Sequence, residues 1–179
     1  MDGANQRFSN NFDLLRMVAA VCITFTHSYN LVGQNDVEPL MQLTGSRYDF
    51  SFIGLCIFFS ISGYLIAKSA CTSPTVVNYW WKRLLRIQPL LLLVCLLSIF
   101  VLGPLFTNLP ATNYFTDTAT WTYLRNFFPA TGVQFTLPGV FAANIVESSV
   151  NGSLWTLVIE ERLYIIVTAL FFLKPSRKW

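Results

Sequence analysis

Residues 14–32 read LLRMVAAVCITFTHSYNLV, an apolar run that contains the only histidine of the chain, His27. Arg16 lies near the start of the run. In a helix, the steps of about 100° per residue bring His27 to within about 20° of the face of Arg16, about 16 Å further along the axis. An ionisable side chain deep in an apolar helix is costly, so it usually faces a protein interior and has a function there. The alternative is a partly solvated, hydrogen-bonded histidine near a helix end.

The composition is that of an integral membrane protein. Of the 179 residues, 54% are hydrophobic and 12% are charged, whereas a soluble domain carries about 25% charged residues. The mean hydropathy is +0.51. The basic residues form clusters between apolar runs, which favours a role in membrane topology over nucleic-acid binding. The cysteines lack metal-ligand spacing, so we expect no metal site and no disulfide.

Four apolar stretches are long enough to cross a bilayer as helices. They predict an all-α, polytopic transmembrane helix bundle. Between them we expect a polar loop, a short connection, and a long irregular section that is partly re-entrant or lies on the membrane surface, with one short helix near 120–127. The predicted spans are 14–32, 50–67, 84–106 and 153–173, and the predicted connections are 33–49, 68–83 and 107–152.

The basic residues predict a cytoplasmic N-terminus, because positively charged residues concentrate on the cytoplasmic side of a membrane protein. With this orientation the opposite side receives only Arg47 and Arg125. The cytoplasmic side receives Arg7, Lys68, Lys82, Arg83, Lys174, Arg177 and Lys178, with Arg16 and Arg86 at its boundary.

Depth in the membrane suggests a partner for His27. His27 lies about 10 Å from the far end of the first span, and Glu160 lies about 10 Å from the same side in the fourth span. A carboxylate beside an imidazole orients it and makes it a better general base. The alternatives are a buried pair that only packs the bundle, or two residues that never meet. Glu161 points about 100° away from Glu160, and Arg162 is a plausible neutralising neighbour for one of them.

A basic pair stands at the cytoplasmic membrane surface. Arg83 and Arg86 are three residues apart and share a helical face, with Lys82 beside them. Guanidinium groups in this arrangement can hold the phosphate oxygens of a ligand. The alternative is that the cluster serves topology and contact with anionic lipids.

Four parts of the sequence resemble the motifs of the acyltransferase 3 family, which are membrane-bound O-acyltransferases that modify bacterial surface polysaccharides and related glycans. The first part contains the first-span motif of the family, an arginine and a histidine separated by ten residues. The last part is the most specific to the family. The parts are 12–27 (FDLLRMVAAVCITFTH), 54–66 (GLCIFFSISGYLI), 81–89 (WKRLLRIQP), and 137–141 with 150–164 (LPGVF and VNGSLWTLVIEERLY).

Three positions depart from the family patterns, namely Lys82, Gln88 and Leu163. The resemblance implies a fold of about ten membrane helices, of which this chain is the N-terminal part of a single domain. We therefore expect this chain to be a fragment of a longer protein. The resemblance further implies the inner membrane of a bacterium, cytoplasmic acyl-CoA (acetyl-CoA above all) as co-substrate without a bound cofactor, and a polysaccharide or lipid-linked sugar as acceptor.

The resemblance also implies roles for the matched residues. His27 would be the catalytic base, or the residue that first takes the acyl group, and Glu160 would assist it. Arg16, Arg83 and Arg86 would face the phosphates of the acyl donor. Two other interpretations stay open, namely a proton-coupled membrane transporter or binding protein that uses the same residues, and an inactive remnant that only inserts into the membrane.

Overall fold

A computed structural model describes residues 11–144 and 149–173. Within these ranges the chain forms helices and turns, and no strand beyond an isolated bridge between Thr107 and Val140. The all-α prediction is therefore confirmed. The α-helices are α1 (Phe12–Asn30), α2 (Pro39–Leu43), α3 (Phe50–Thr72), α4 (Val76–Leu97), α5 (Gly103–Phe106), α6 (Ala111–Thr116), α7 (Thr118–Thr122) and α8 (Leu154–Leu173). Shorter turns are the 3-10 segments Asn35–Val37, Tyr123–Phe127 and Pro129–Thr131 and the π turn Ser98–Leu102.

Two helices of the described part are long and apolar enough to cross a membrane. One is α3, and the other is the 31-residue run Val76–Phe106 that continues from α4 through the π turn into α5. The predicted count of four spans is not confirmed. Among the residues of α1 are Asp13, Arg16 and His27, and α8 contains three consecutive charged residues. Helices α1 and α8 have 19 and 20 residues but do not qualify as membrane-spanning by this criterion. They are the helices that carry His27 and Glu160.

The predicted connection over 68–83 is wrong. Helix α3 continues to Thr72, and α4 already begins at Val76. Thr75 starts α4 as its N-cap, because its Oγ1 accepts a hydrogen bond of 3.1 Å from the Asn78 N–H. The basic cluster therefore lies on a helix, and Pro89 lies inside α4.

The predicted orientation in the membrane stays a prediction. Of the basic residues that support it, Arg7, Lys174, Arg177 and Lys178 lie outside the described residues.

The chain divides into two compact units, Met1–Tyr64 and Leu65–Trp179. In the first unit, α1 and the start of α3 run antiparallel. The rings of Phe12 and Tyr64 lie 5.5 Å apart at one end, and those of Phe25 and Phe50 lie 5.5 Å apart at the other. Gly54 lies where the helices approach most closely, since a Cβ there would come within 2.7 Å of the Ala19 carbonyl oxygen.

In the second unit, α4 and α8 are antiparallel neighbours. Arg83 of α4 contacts Tyr164 of α8, whereas Gln88, further along α4, contacts Glu161, which is earlier in α8. Apolar side chains fill the space on either side of these polar contacts. One buried cluster contains Ile66, Ala70, Tyr79 and Tyr164, and the other contains Leu91, Cys95, Ile99, Tyr114, Tyr123, Leu137, Val140 and Leu154.

The long section between α5 and α8 is more helical than predicted. The expected short helix is confirmed as α7 and the following 3-10 turn, but α6 precedes them. Two tyrosines of this section are buried against α4 and the π turn, where the hydroxyl of Tyr114 donates a 3.0 Å hydrogen bond to the Ile99 carbonyl. Burial raises the pKa of both Tyr114 and Tyr123, which keeps their hydroxyl groups neutral.

The close approach at Gly54 can be tested by Gly54→Ala. The added methyl group would overlap Ala19 and Ile23, so we expect the free energy of unfolding to fall by about 1–3 kcal/mol. Gly63→Ala in the same helix is the matched control, because nothing lies within 4 Å of its added Cβ. Equilibrium unfolding in mixed detergent micelles measures both variants. Equal stability of the two would contradict the described α1–α3 contact.

Candidate active site

Arg83 is held in a cage of two aromatic rings. Its guanidinium carbon lies 5.3 Å from the ring centre of Tyr79 and 5.3 Å from that of Tyr164, which are favourable distances for cation–π contacts. One terminal N–H donates to the Leu65 carbonyl oxygen at 3.4 Å. The side chain is 6% exposed, and its Nε–H has no hydrogen-bond acceptor within the described ranges. The structure thus fixes this cation firmly but leaves one buried donor unused.

Arg86 has a different environment from Arg83. It lies three residues further along α4, and its side chain is exposed. Residues three apart are neighbours on the surface of a helix, so Arg86 lies beside Arg83, and these two arginines form one cluster with Tyr164, which Arg83 contacts. The cluster therefore combines one fixed cation and one accessible cation.

Glu160 joins this cluster through Tyr164. The tyrosine hydroxyl donates a hydrogen bond to Oε1 of Glu160, one helical turn earlier in α8. Glu160 is half-buried. The structure thus brings together three of the predicted site residues, Arg83, Arg86 and Glu160, around a tyrosine to which the sequence analysis gave no role.

The other two predicted residues, Arg16 and His27, lie on α1 in the first unit. Helix α1 is continuous between them, as the spacing argument requires. His27 is exposed. Arg16 approaches Asp13 with a nitrogen–oxygen distance of 3.7 Å, and its second terminal nitrogen is buried without a hydrogen-bond partner in the described residues. The pairing of His27 with Glu160 would join residues of different units and stays a prediction.

The comparisons with known proteins agree with the motifs. The family model described as an acyltransferase domain matches residues 9–179. The chain belongs to the acyltransferase 3 family.

Two curated relatives resemble this chain over most of its length. It is 35% identical to an O-acetyl transferase of Shigella phage Sf6, with 88% of this chain and 44% of the relative covered. It is 33% identical to nodulation protein 10 of Rhizobium leguminosarum bv. viciae, with 95% and 46% covered. The chain thus spans about half the length of these relatives. No solved structure matches it significantly.

Glu161 is a buried polar centre that was not among the predicted site residues. It is 8% exposed. Its Oε1 accepts a 2.9 Å hydrogen bond from the Gln88 side chain, and its Oε2 accepts one of 2.8 Å from the Ala130 N–H. The same Gln88 nitrogen also donates to the Phe127 carbonyl oxygen at 3.0 Å. Glu161 therefore ties α8 to α4 and to the loop section around residues 127–130.

Arg162 does not have the predicted neutralising role. Its side chain is exposed, and the hydrogen bonds of Glu160 and Glu161 go to Tyr164, Gln88 and Ala130 instead. A signal for the buried glutamate was present in the sequence. Two adjacent carboxylates on an apolar helix cannot share a face, so one of them had to find partners inside the protein.

Glu161→Ala should destabilise the protein. The substitution leaves the Ala130 N–H without its acceptor and removes one of the two hydrogen bonds of the Gln88 side chain, and each buried group left unpaired costs about 1–3 kcal/mol. Glu161→Gln keeps one acceptor oxygen and should cost less. The free energy of unfolding in mixed micelles is the measurement, and Arg162→Ala, at the adjacent exposed position, is the control. If Glu161→Ala were as stable as Arg162→Ala, the anchoring role of Glu161 would be refuted.

Proposed function

We propose that this protein is a membrane O-acyltransferase that moves an acyl group, acetyl above all, from acyl-CoA to a hydroxyl group of a surface polysaccharide or lipid-linked sugar. The observation that carries the proposal is the 35% identity with a relative named O-acetyl transferase over 88% of the chain. The two membrane-length helices support a location in a membrane, for which we propose the bacterial inner membrane with a cytoplasmic N-terminus.

The α4–α8 cluster supports the donor side of the proposal. Guanidinium groups bind phosphate through charge-assisted, directional hydrogen bonds. Arg86 is exposed, and Arg83 has an unused Nε–H donor. We assign both residues, together with Arg16, to the phosphates of the acyl donor. Because Arg83 is also enclosed by two tyrosine rings, it has a packing role besides this one.

The proposed chemistry centres on His27. Its imidazole removes the proton from the acceptor hydroxyl group, the resulting oxygen attacks the thioester carbonyl carbon, and the carbon–sulfur bond breaks. The proton then passes from the imidazolium to the departing thiolate. In a covalent variant, the imidazole nitrogen attacks the thioester carbonyl carbon first, and the carbon–sulfur bond breaks as the thiolate leaves. The acyl group then passes from the nitrogen to the hydroxyl oxygen, and the hydroxyl proton goes to the thiolate. The exposed side chain of His27 is accessible to substrates in either case.

Glu160 is proposed to assist His27 by stabilising the imidazolium. Its hydrogen bond from Tyr164 holds one carboxylate oxygen in place. A carboxylate that is already oriented loses less conformational freedom when it acts on a partner. The Tyr164 hydroxyl therefore contributes by positioning Glu160, not by contact with substrate.

Membranes that contain the chain and labelled acetyl-CoA test the proposed function. The wild type should release free CoA thiol and transfer label to the glycan fraction, and His27→Ala should lower both by about 100-fold or more. Ser28→Ala, at the adjacent exposed position, is the matched control. The same comparison in a chimera, in which residues 9–179 replace the matched part of the phage relative, provides a protein of that relative's length. Absence of thioester consumption in both wild-type proteins, or proton uptake without it, would overturn the proposal.

Arg86→Ala should weaken donor binding without removing the chemistry. Loss of one charge-assisted phosphate contact costs about 1.5–3 kcal/mol, so KM for acetyl-CoA should rise about tenfold or more while kcat changes little.

Acetyl-pantetheine, which lacks the nucleotide phosphates, should react equally with the wild type and the Arg86 variant. Arg125→Ala is the control, since Arg125 is exposed and is predicted to lie on the opposite side of the membrane. An unchanged KM for acetyl-CoA would rule out a phosphate contact for Arg86.

A further inference from the structure

Glu38 is the most completely buried carboxylate of the described chain, although it lies in the predicted polar loop between the first two spans. It is 1% exposed. Its Oε2 accepts a 2.7 Å hydrogen bond from the Met41 N–H at the start of α2. Its Oε1 accepts one of 3.0 Å from the Phe50 N–H at the start of α3 and one of 3.3 Å from the Thr26 hydroxyl. One side chain therefore links α1, α2 and α3, all within the first unit.

The link to α1 is reinforced by Thr26 itself. Thr26 is 2% exposed, and its hydroxyl oxygen accepts a 2.9 Å hydrogen bond from the Ser51 N–H. Thr26 thus donates to Glu38 and accepts from α3 at the same time. The edge-to-face contact of Phe25 with Phe50 lies beside this pair. The last turns of α1 are consequently fixed in rotation and in height against the start of α3.

The residue that follows Thr26 is His27. Consecutive residues of a helix point about 100° apart, so the direction of His27 is set once Thr26 is fixed. The His27 side chain is exposed, and packing around the imidazole contributes little to its placement. Its position depends on the backbone of α1, and that backbone is held by Thr26 and Glu38.

We propose that Glu38, acting through Thr26, is a positioning residue for His27 in acyl transfer. This inference rests on the proposed function, in which His27 is the reacting group. A misplacement of about 1 Å at a reacting group can lower a rate by about 100-fold. The carboxylate also lies at the N-termini of two helices, where negative charge is favourable, so a neutral side chain of similar size does not replace it fully.

The simpler role for Glu38 is a helix cap. The chain provides a matched case for comparison, because Asp49 caps α3 through a 2.6 Å hydrogen bond from the Phe52 N–H. No hydrogen bond connects Asp49 to α1 within the described residues. Asp49→Ala therefore removes a cap of the same helix and leaves the link to Thr26 in place.

The experiment uses the fact that His27 is the only histidine of the chain. With isotope-labelled histidine, the full chain in lipid nanodiscs gives imidazole NMR signals from this residue alone. We expect Glu38→Ala and Thr26→Val to shift or broaden these signals, and Asp49→Ala to leave them unchanged. Thr26→Ser keeps the hydroxyl group and should restore the wild-type signals. Glu38→Ala removes three hydrogen bonds, so circular dichroism compares its helix content with that of the wild type. If the alanine variant unfolds, the near-isosteric Thr26→Val decides the outcome.

Activity provides the second readout. In acetyl transfer, Glu38→Ala and Thr26→Val should lower kcat about tenfold to 100-fold with KM for acetyl-CoA nearly unchanged. The variant that combines Glu38→Ala and Thr26→Val should have a kcat no lower than that of the more damaging single variant. The positioning role would be overturned if Asp49→Ala lowered kcat as much as Glu38→Ala. It would also be overturned if the histidine signals were unchanged in both Glu38→Ala and Thr26→Val. If His27→Ala keeps acyl transfer while Glu38→Ala still moves the signals, the structural link stands and the proposed function fails.

Discussion

The hydrogen bonds of Glu161 show the constraint on which the helix pairing of the second unit depends. A charge on an apolar helix costs several kcal/mol if it is buried without partners. Here one oxygen is satisfied from α4 and the other from the backbone at Ala130. These bonds hold α8 in the register that places Gln88 and the loop section opposite this carboxylate. The first unit has a corresponding centre in Glu38.

Arg83 shows how the same constraint can be met without an anionic partner. Two aromatic faces and one carbonyl oxygen surround its guanidinium. This arrangement neutralises little of the positive charge, because ring faces and carbonyl groups carry only partial negative charge. The cation therefore keeps most of its attraction for an anionic ligand. The α4–α8 cluster thereby combines a rigidly held arginine with the electrostatics that phosphate binding requires.

The sequence predicted the helices well because long apolar runs leave few alternatives. It failed over 68–83, where a short connection was expected and most of the residues are helical. It also gave no role to Glu38 and no partners to Glu161. The partners of Glu161 are 73 and 31 residues away along the chain, and no local pattern reports such a distance. The hydrogen bonds of Glu38 likewise involve Thr26, in a different helix. The candidate site residues could be found from depth, spacing and resemblance, whereas the contacts of Glu38 and Glu161 could be found only from the structure.

The π turn at Ser98–Leu102 has a consequence for variation in the length of this helix. A π turn accommodates one residue more than the same stretch of α-helix. Loss of a single residue there would restore regular α-helical winding and leave the residues beyond it facing nearly as before, because the wider turn already absorbs the extra residue. Gly103, against which the Tyr114 ring is packed, would keep nearly the same direction. Loss of one residue in the regular part of α4 would instead rotate Gly103 by about 100°, so this turn is the place where the helix tolerates a change of length by one residue.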